Sequence, residues 1–330
     1  SKTETTDNTE NNSTKSDGDV FKLGFFSPMS GSTGQYGTEA YKAVQLCVKQ
    51  INEDGGLNGQ KVEIVAYDTT SSTEEAAKIA VKLAQVDKVN AAIMPVMSGE
   101  IMAAAPALTE AKIIAFGPAT SPSWMKEEWP YIYRAAMCND DTMPLLIDLL
   151  NQLDYTKVAV FKGTDENAVA TADALREACK AANIDILIEE SYDVGDQDYS
   201  AQVLNIIAAD PEIVFISVNG EVGGVIVKQL RQLGYNGMIM SKESFMTSQI
   251  EIAGKENSNY ICFAMPYVTY SNIEDCDIPT MRAFLEAYVA EYGELPQTDS
   301  SYRGYEACRT LWEAAKIAGQ NDTDSLVEAM

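Results

Sequence analysis

The sequence predicts an α/β protein of two lobes, each a doubly wound parallel sheet. Three observations carry this expectation. Short apolar runs alternate with amphipathic helical stretches, the pattern of strand–helix–strand units whose sheets are covered on both faces. The alternation comes in two series, the second beginning near Asn139. The 330 residues, 46% of them hydrophobic, are too many for one compact domain and enough for two ordinary cores.

The first series starts abruptly at Val20. VFKLGFF is a β-rich run ended by Ser27-Pro28. Residues 36–54 place Ala40, Val44, Cys47, Val48 and Ile51 at helical spacing, and Gly55-Gly56 stops that helix. A strand over 61–67, a helix over 73–86, a strand over 90–96, a helix over 99–111 and a strand over 112–116 follow. The second series runs helix 142–153, strand 157–161, helix 169–183, strand 185–191, helix 200–208 and strand 212–218. Helix 223–233 and strands 238–241 and 260–264 complete it. The last part reads as helices over 279–292 and 302–318, with a short piece to Met330. No closing strand follows, and the chain begins at Ser1 rather than Met, so both ends are expected to belong to a longer protein.

Residues 1–19 contain no apolar side chain, only Ser, Thr, Asn, Asp, Glu, Lys and Gly. Such a segment is expected to be a disordered linker, because it has nothing to bury against its ordering entropy. As random coil it spans about 22–26 Å, enough to tether a globular body near a surface.

Composition excludes several functions. Lys+Arg 24 against Asp+Glu 49 gives a net charge of −25, which repels nucleic acid and anionic lipid. There is no histidine, so His-dependent triads and His-ligated metals are excluded. The cysteines form no C-x-x-C. No GxGxxG or GxxxxGK[ST] loop is present, so no nucleotide cofactor is expected, and no other cofactor or metal.

In open α/β sheets ligands sit beyond the carboxyl ends of the strands. The loop after the first strand, 27–37, is glycine-rich and ends with Tyr36 and Gly37. After the third comes Met97-Ser98-Gly99-Glu100 opening a helix, with Ser98 a natural N-cap and free N–H groups suited to a carboxylate. After the fourth comes Gly117-Pro118-Ala119-Thr120-Ser121-Pro122, where Thr120 sits in a Pro-bounded turn. The second lobe offers Asn167, Asn219 and Glu243 in its strand-end loops. Glu243 suits a ligand ammonium and equally a solvated surface. Trp124 suits either the cleft mouth or the core.

FKLGFFSPMSGSTGQYG, INEDGGLNGQKVEIVAYD, FGPATSP and IVKQLRQLGYNG together resemble the branched-chain-amino-acid type of periplasmic binding protein, the extracellular substrate-binding component of ABC importers. The resemblance runs from about Val20 to the end. It implies the type I periplasmic binding protein fold: two lobes joined by three crossings, closing on a ligand, without catalytic activity. By that analogy residues 20–138 with about 267–319 form one lobe, and 139–266 with about 320–330 the other, hinged near Cys138 and Pro266. Ser98 and Thr120 match positions that hold the α-carboxylate and α-ammonium of an amino acid, with Met97 and Pro118 beside them. Tyr36 matches an aromatic of the side-chain pocket, and Glu243 the acid that pairs with the ammonium. Leu/Ile/Val-binding members carry tyrosines where Asn167 and Asn219 stand and a bulky apolar residue near Ser300. The expected pocket is therefore more polar, unfavourable to a purely aliphatic side chain. A disulfide of well-known members is replaced here by Ser71 and Met97.

The implied partners are a small-molecule ligand, an amino acid or analogue, and a membrane ABC permease, with the protein itself a monomer that binds no nucleic acid. The implied location is the outer face of the cytoplasmic membrane, lipid-anchored through the polar linker, or the periplasm. A sensor of the same fold, signalling an amino acid or amide to another protein, is the alternative. Cys47, Cys179 and Cys308 fall on apolar helix faces, as buried free thiols do. Cys262 and Cys276 are near enough in sequence to pair, but spacing alone does not establish a bridge, and all six thiols are expected to be free.

Overall fold

Strands at the centre of a parallel sheet are buried on both faces, because helices cover both sides. The computed structural model, which describes residues 20–193, 195–242, 245, 247–264 and 270–330, holds two such sheets. The first contains β1 (Val20–Ser27), β2 (Lys61–Asp68), β3 (Ala91–Ile93), β4 (Ile114–Gly117) and β5 (Ile132–Arg134), in the order β2-β1-β3-β4-β5. The second contains β6 (Lys157–Gly163), β7 (Asp185–Tyr192), β8 (Ile213–Ser217), β9 (Met238–Ser241) and β10 (Ile261–Phe263), in the order β10-β9-β8-β6-β7. Every strand pairing among the described residues is parallel. The linker 1–19, the hinge expected at Pro266 and the candidate Glu243 lie outside the described residues.

The period of two along each central strand divides the cores. On β1, Phe21, Leu23 and Phe25 face α1 (Gly34–Glu53) and α10 (Ser300–Ala318), packing with Val44, Ile51 and Leu311. Phe26 faces the other way, with Ile79 of α2 (Thr73–Lys82) and Leu108 of α3 (Ser98–Glu110). On β8, Ile213 and Phe215 pack with Leu146 of α4 (Asn139–Gln152) and Leu175 of α5 (Glu166–Ala182). Val214 and Ile216 pack instead with Val203 of α6 (Ser200–Ala208) and Ile226 of α7 (Val222–Gln232). The remaining helices are α8 (Thr247–Ala253), α9 (Pro279–Tyr292) and α11 (Thr323–Glu328). α9 returns to the first lobe, where Phe284, Leu285 and Tyr288 pack with Ala43 and Leu46 of α1.

Glu39 anchors that return. It is 3% exposed, and its carboxylate accepts from Tyr288 Oη, the Gln297 N–H and Ser301 Oγ at 2.9–3.0 Å, and from Lys42 Nζ at 3.0 Å.

Several expectations change. Residues 320–330 pack on the first lobe rather than the second, because Leu326 of α11 is fully buried in the core of Phe21 and Leu23. The helix expected over 73–86 turns π-helical from Leu83 to Asp87. β5 and α8 join the expected elements: one is three residues long, the other seven, too short for a clear period in the sequence. All six cysteines are free, in agreement with the expectation of free thiols. Cys262 lies in β10 of the second lobe and Cys276 in the α9 core of the first, so they do not meet. Where the resemblance replaces a bridge by Ser71, the Ser71 hydroxyl lies 2.8 Å from Thr33 Oγ1 and donates to Ser30 O at 3.0 Å, tying the first two strand-end loops together.

Candidate functional site

Each sheet reverses direction once. In the first, β1 leads outward to β2 and the chain returns past β1 to β3. In the second, β6 leads to β7 and returns to β8. A crevice opens at such a switch point, between loops that leave in opposite directions. Thr120 after β4 and Asn219 after β8 lie in strand-end loops; Tyr36, Ser98 and Asn167, expected in such loops, stand in the first turns of α1, α3 and α5, the helices that follow β1, β3 and β6. Local chemistry fixes the segments after β6 and β8: Asp165 caps α5 by accepting the Ala168 N–H at 3.1 Å, and the same carboxylate holds Asn219 Nδ2 at 2.7 Å.

Tyr36, Val96, Met97, Ser98 and Thr120 of the first lobe and Asn167 and Asn219 of the second line one cavity, together with Arg303. Its volume is about 20 Å³, room for a single water. The lobes therefore stand closed. Among the described residues, side-chain hydrogen bonds cross between them in three places, in addition to the backbone bond from the Asn139 N–H to Thr120 O at 2.8 Å. Asn167 Nδ2 donates to Thr120 Oγ1 at 3.2 Å. Glu166 Oε1 accepts from Ser121 Oγ at 2.8 Å and from Ser123 Oγ. Ser248 Oγ donates to Gln35 Oε1 at 3.1 Å. A larger open groove of about 1180 Å³ lies between α4 and α5 and reaches Pro122, Ser123, Thr164 and Glu166 beside the interlobe contacts.

The other expected site residues fall elsewhere. Pro118 and Ser300 do not line the cavity but hold Arg303. Pro118 O accepts from Arg303 Nη1 at 2.7 Å and Ser300 Oγ from Nη2 at 3.1 Å. Ser300 is fully buried. Ser98 is not the cap of α3 but its first residue; Met97 takes the cap position and offers no capping side chain. Ser98 Oγ accepts instead from the Ser121 N–H at 3.3 Å, joining two strand-end loops. Trp124 is core, 1% exposed, with the Arg134 guanidinium 4.6 Å above its ring.

Two site residues escape the sequence reading. Arg303 is 4% exposed and pairs with Asp299, Nε to Oδ2 at 3.1 Å. Its signal is the helical spacing from Ser300. Lys242 is 3% exposed, and its Nζ donates to Asn167 Oδ1 and Asn219 Oδ1. Its signal is its place at the end of β9, beside Glu243.

Glu100 lies in the first turn of α3, 3% exposed. Burial pushes its carboxyl up to about 7; the Thr69 hydroxyl, donating at 2.7 Å, opposes the rise and nearby Asp68 adds to it. A carboxyl raised in the folded state stabilises fully below its unfolded value of 4.5, and that contribution is lost as pH rises towards 7. Its full size is about 3 kcal/mol. Glu100→Gln is therefore expected to be more stable than the parent at pH 8, by about 1–3 kcal/mol, and to lose this advantage by pH 4. Urea denaturation at both values measures it; a parent–variant difference independent of pH would refute the assignment.

The family model described as periplasmic binding protein matches residues 20–330. An amino acid binding protein of Pseudomonas aeruginosa is 26% identical over 310 residues, 93% of this chain and 81% of that protein. Among solved structures, a branched-chain amino acid transporter substrate binding protein of Streptococcus pneumoniae, in complex with isoleucine, has a TM-score of 0.80 and 26% identity. The match covers 94% of this chain and 87% of that one. A leucine binding protein of Thermotoga maritima has a TM-score of 0.83 and 25% identity, with the same coverage. The two sheets and their order are those of the type I periplasmic binding protein fold.

Proposed function

The chain belongs to the periplasmic binding protein family, and from that premise we propose that it is the substrate-binding component of an ABC importer, closing on an amino acid or related small zwitterion for delivery to a membrane permease. One observation carries the reading: strand-end loops of both sheets meet in one interlobe cavity that presents hydroxyls, amides and an uncapped helix N-terminus. The first-turn N–H groups of α3 and the Ser98 and Thr120 hydroxyls suit an α-carboxylate and its ammonium. Glu243 is proposed as the carboxylate that meets the ammonium. Tyr36 supplies an aromatic wall. Asn167 and Asn219 make the side-chain end polar, so a purely aliphatic ligand gains less there than in a Leu/Ile/Val binder.

Lipid anchoring through residues 1–19 and a monomeric body belong to the same proposal. No helix among the described residues is long and apolar enough to cross a membrane.

A thermal-denaturation panel of amino acids, amides and small carboxylates tests the reading. A solute at a hundred times its dissociation constant adds about 2.7 kcal/mol of apparent stability. A panel in which no member shifts the transition would sink the proposal.

A further inference from the structure

The two asparagines of the second-lobe wall converge on a buried cation that does not itself line the closed cavity. Lys242 Nζ donates to the carboxamide oxygens of both Asn167 and Asn219. The opposite ends of those amides are engaged as well: Asn219 Nδ2 on Asp165 at 2.7 Å, Asn167 Nδ2 on Thr120 at 3.2 Å. An asparagine offers acceptors on its oxygen and donors on its nitrogen. Here the acceptors of both residues are turned onto the ammonium. The two amide oxygens are thus the groups that stand between a solute and the ammonium.

What a solute can offer this ammonium separates the ligand classes. An aliphatic side chain placed against Nζ would displace the amide oxygens and supply nothing in return. A carboxamide would exchange one neutral acceptor for another. A carboxylate would replace a neutral acceptor with an ionised one, and hydrogen bonds between two ionised groups are shorter and stronger than those to a neutral oxygen.

We propose that the subsite between Asn167 and Asn219 receives a second carboxylate, bound by Lys242, so that the solute is a dicarboxylic amino acid. This rests on the reading that the cleft binds an amino-acid-type solute, and it names the class. With only about 20 Å³ free in the closed form, the solute carboxylate takes the place of one or both amide oxygens at Nζ when the lobes close over it.

Titration calorimetry with L-glutamate, L-glutamine, L-aspartate and L-leucine tests it. Glutamine is the neutral isostere of glutamate, so their affinity ratio reports the subsite charge. The parent is expected to bind glutamate or aspartate at least tenfold more tightly than glutamine or leucine. Lys242→Met should abolish that ratio, while Lys242→Arg should keep most of it. If Lys242 only props the two asparagines, Lys242→Met weakens all four solutes alike and the proposal falls. A parent that prefers leucine or glutamine also overturns it, and leaves the amino-acid reading standing. Binding of none of the four by the parent counts against that reading itself. Should Lys242→Met fail to fold, the parent's glutamate-to-glutamine ratio and the Lys242→Arg variant decide.

Discussion

Gly220→Ala is expected to weaken solute binding about tenfold or more while leaving the protein folded. Gly220 follows β8 in the second lobe with φ +68°, and a Cβ added there would lie 2.5 Å from the Ser32 carbonyl oxygen of the first lobe. The loop has little room to retreat, because Gly220 O accepts from Gln249 Nε2 at 2.7 Å. The left-handed backbone costs an alanine about 1–2 kcal/mol whether the lobes are open or shut. The clash exists only when they are shut. Overpacking of this kind typically costs about 1–3 kcal/mol, and here it falls on the shut form, in which solute is held, and not on the parted one. Gly234→Ala is the control, since Gly234 has φ +102° and a Cβ added there would meet nothing within 4 Å. Calorimetry on both variants separates strain from closure. Equal affinities in the two would show that the lobes do not meet at this point when solute is bound.

Asp299→Ala is expected to destabilise the protein by about 3–5 kcal/mol, because it leaves a buried guanidinium without its countercharge. The side chains of Asp299 and Arg303 are 0% and 5% exposed, and two nitrogens of Arg303 reach Asp299, each at 3.1 Å. The same guanidinium grips Pro118 O, so the loop bearing Thr120 should loosen and affinity should fall with stability. Removing both charges, as Asp299→Leu with Arg303→Met, should cost less than removing the acid alone. Urea denaturation of the single and double variants measures this. A single variant within about 0.5 kcal/mol of the parent would show that the pair contributes little.

The lobes, their strand–helix order and five of the strand-end loops were legible in the sequence, because alternation and punctuation are local properties. Tyr36, Ser98, Thr120, Asn167 and Asn219 each follow a strand, and the rule that ligands sit beyond strand ends needs no tertiary contact to apply. Ser300 was misplaced because its helix approaches from the far end of the chain, and only the packed structure shows that Arg303 reaches past it. Lys242 was missed for a related reason. A lysine in an acidic chain reads as solvated, and its burial depends on two asparagines 75 and 23 residues away. The placement of 320–330 turned on one side chain, Leu326, which shares its core with Phe21 and Leu23 from the start of the first lobe.

The hydrogen bonds that span the closed lobes have a consequence for timing. With room for about one water inside, solute enters only during the intervals when Asn167 and Thr120, Glu166 and the two serines, and Ser248 and Gln35 have parted. Capture then proceeds at the encounter rate of the parted form multiplied by its share of the population. These few contacts are thus a clock as well as a clasp: they set how often the protein samples its surroundings, independently of how tightly it holds what it finds.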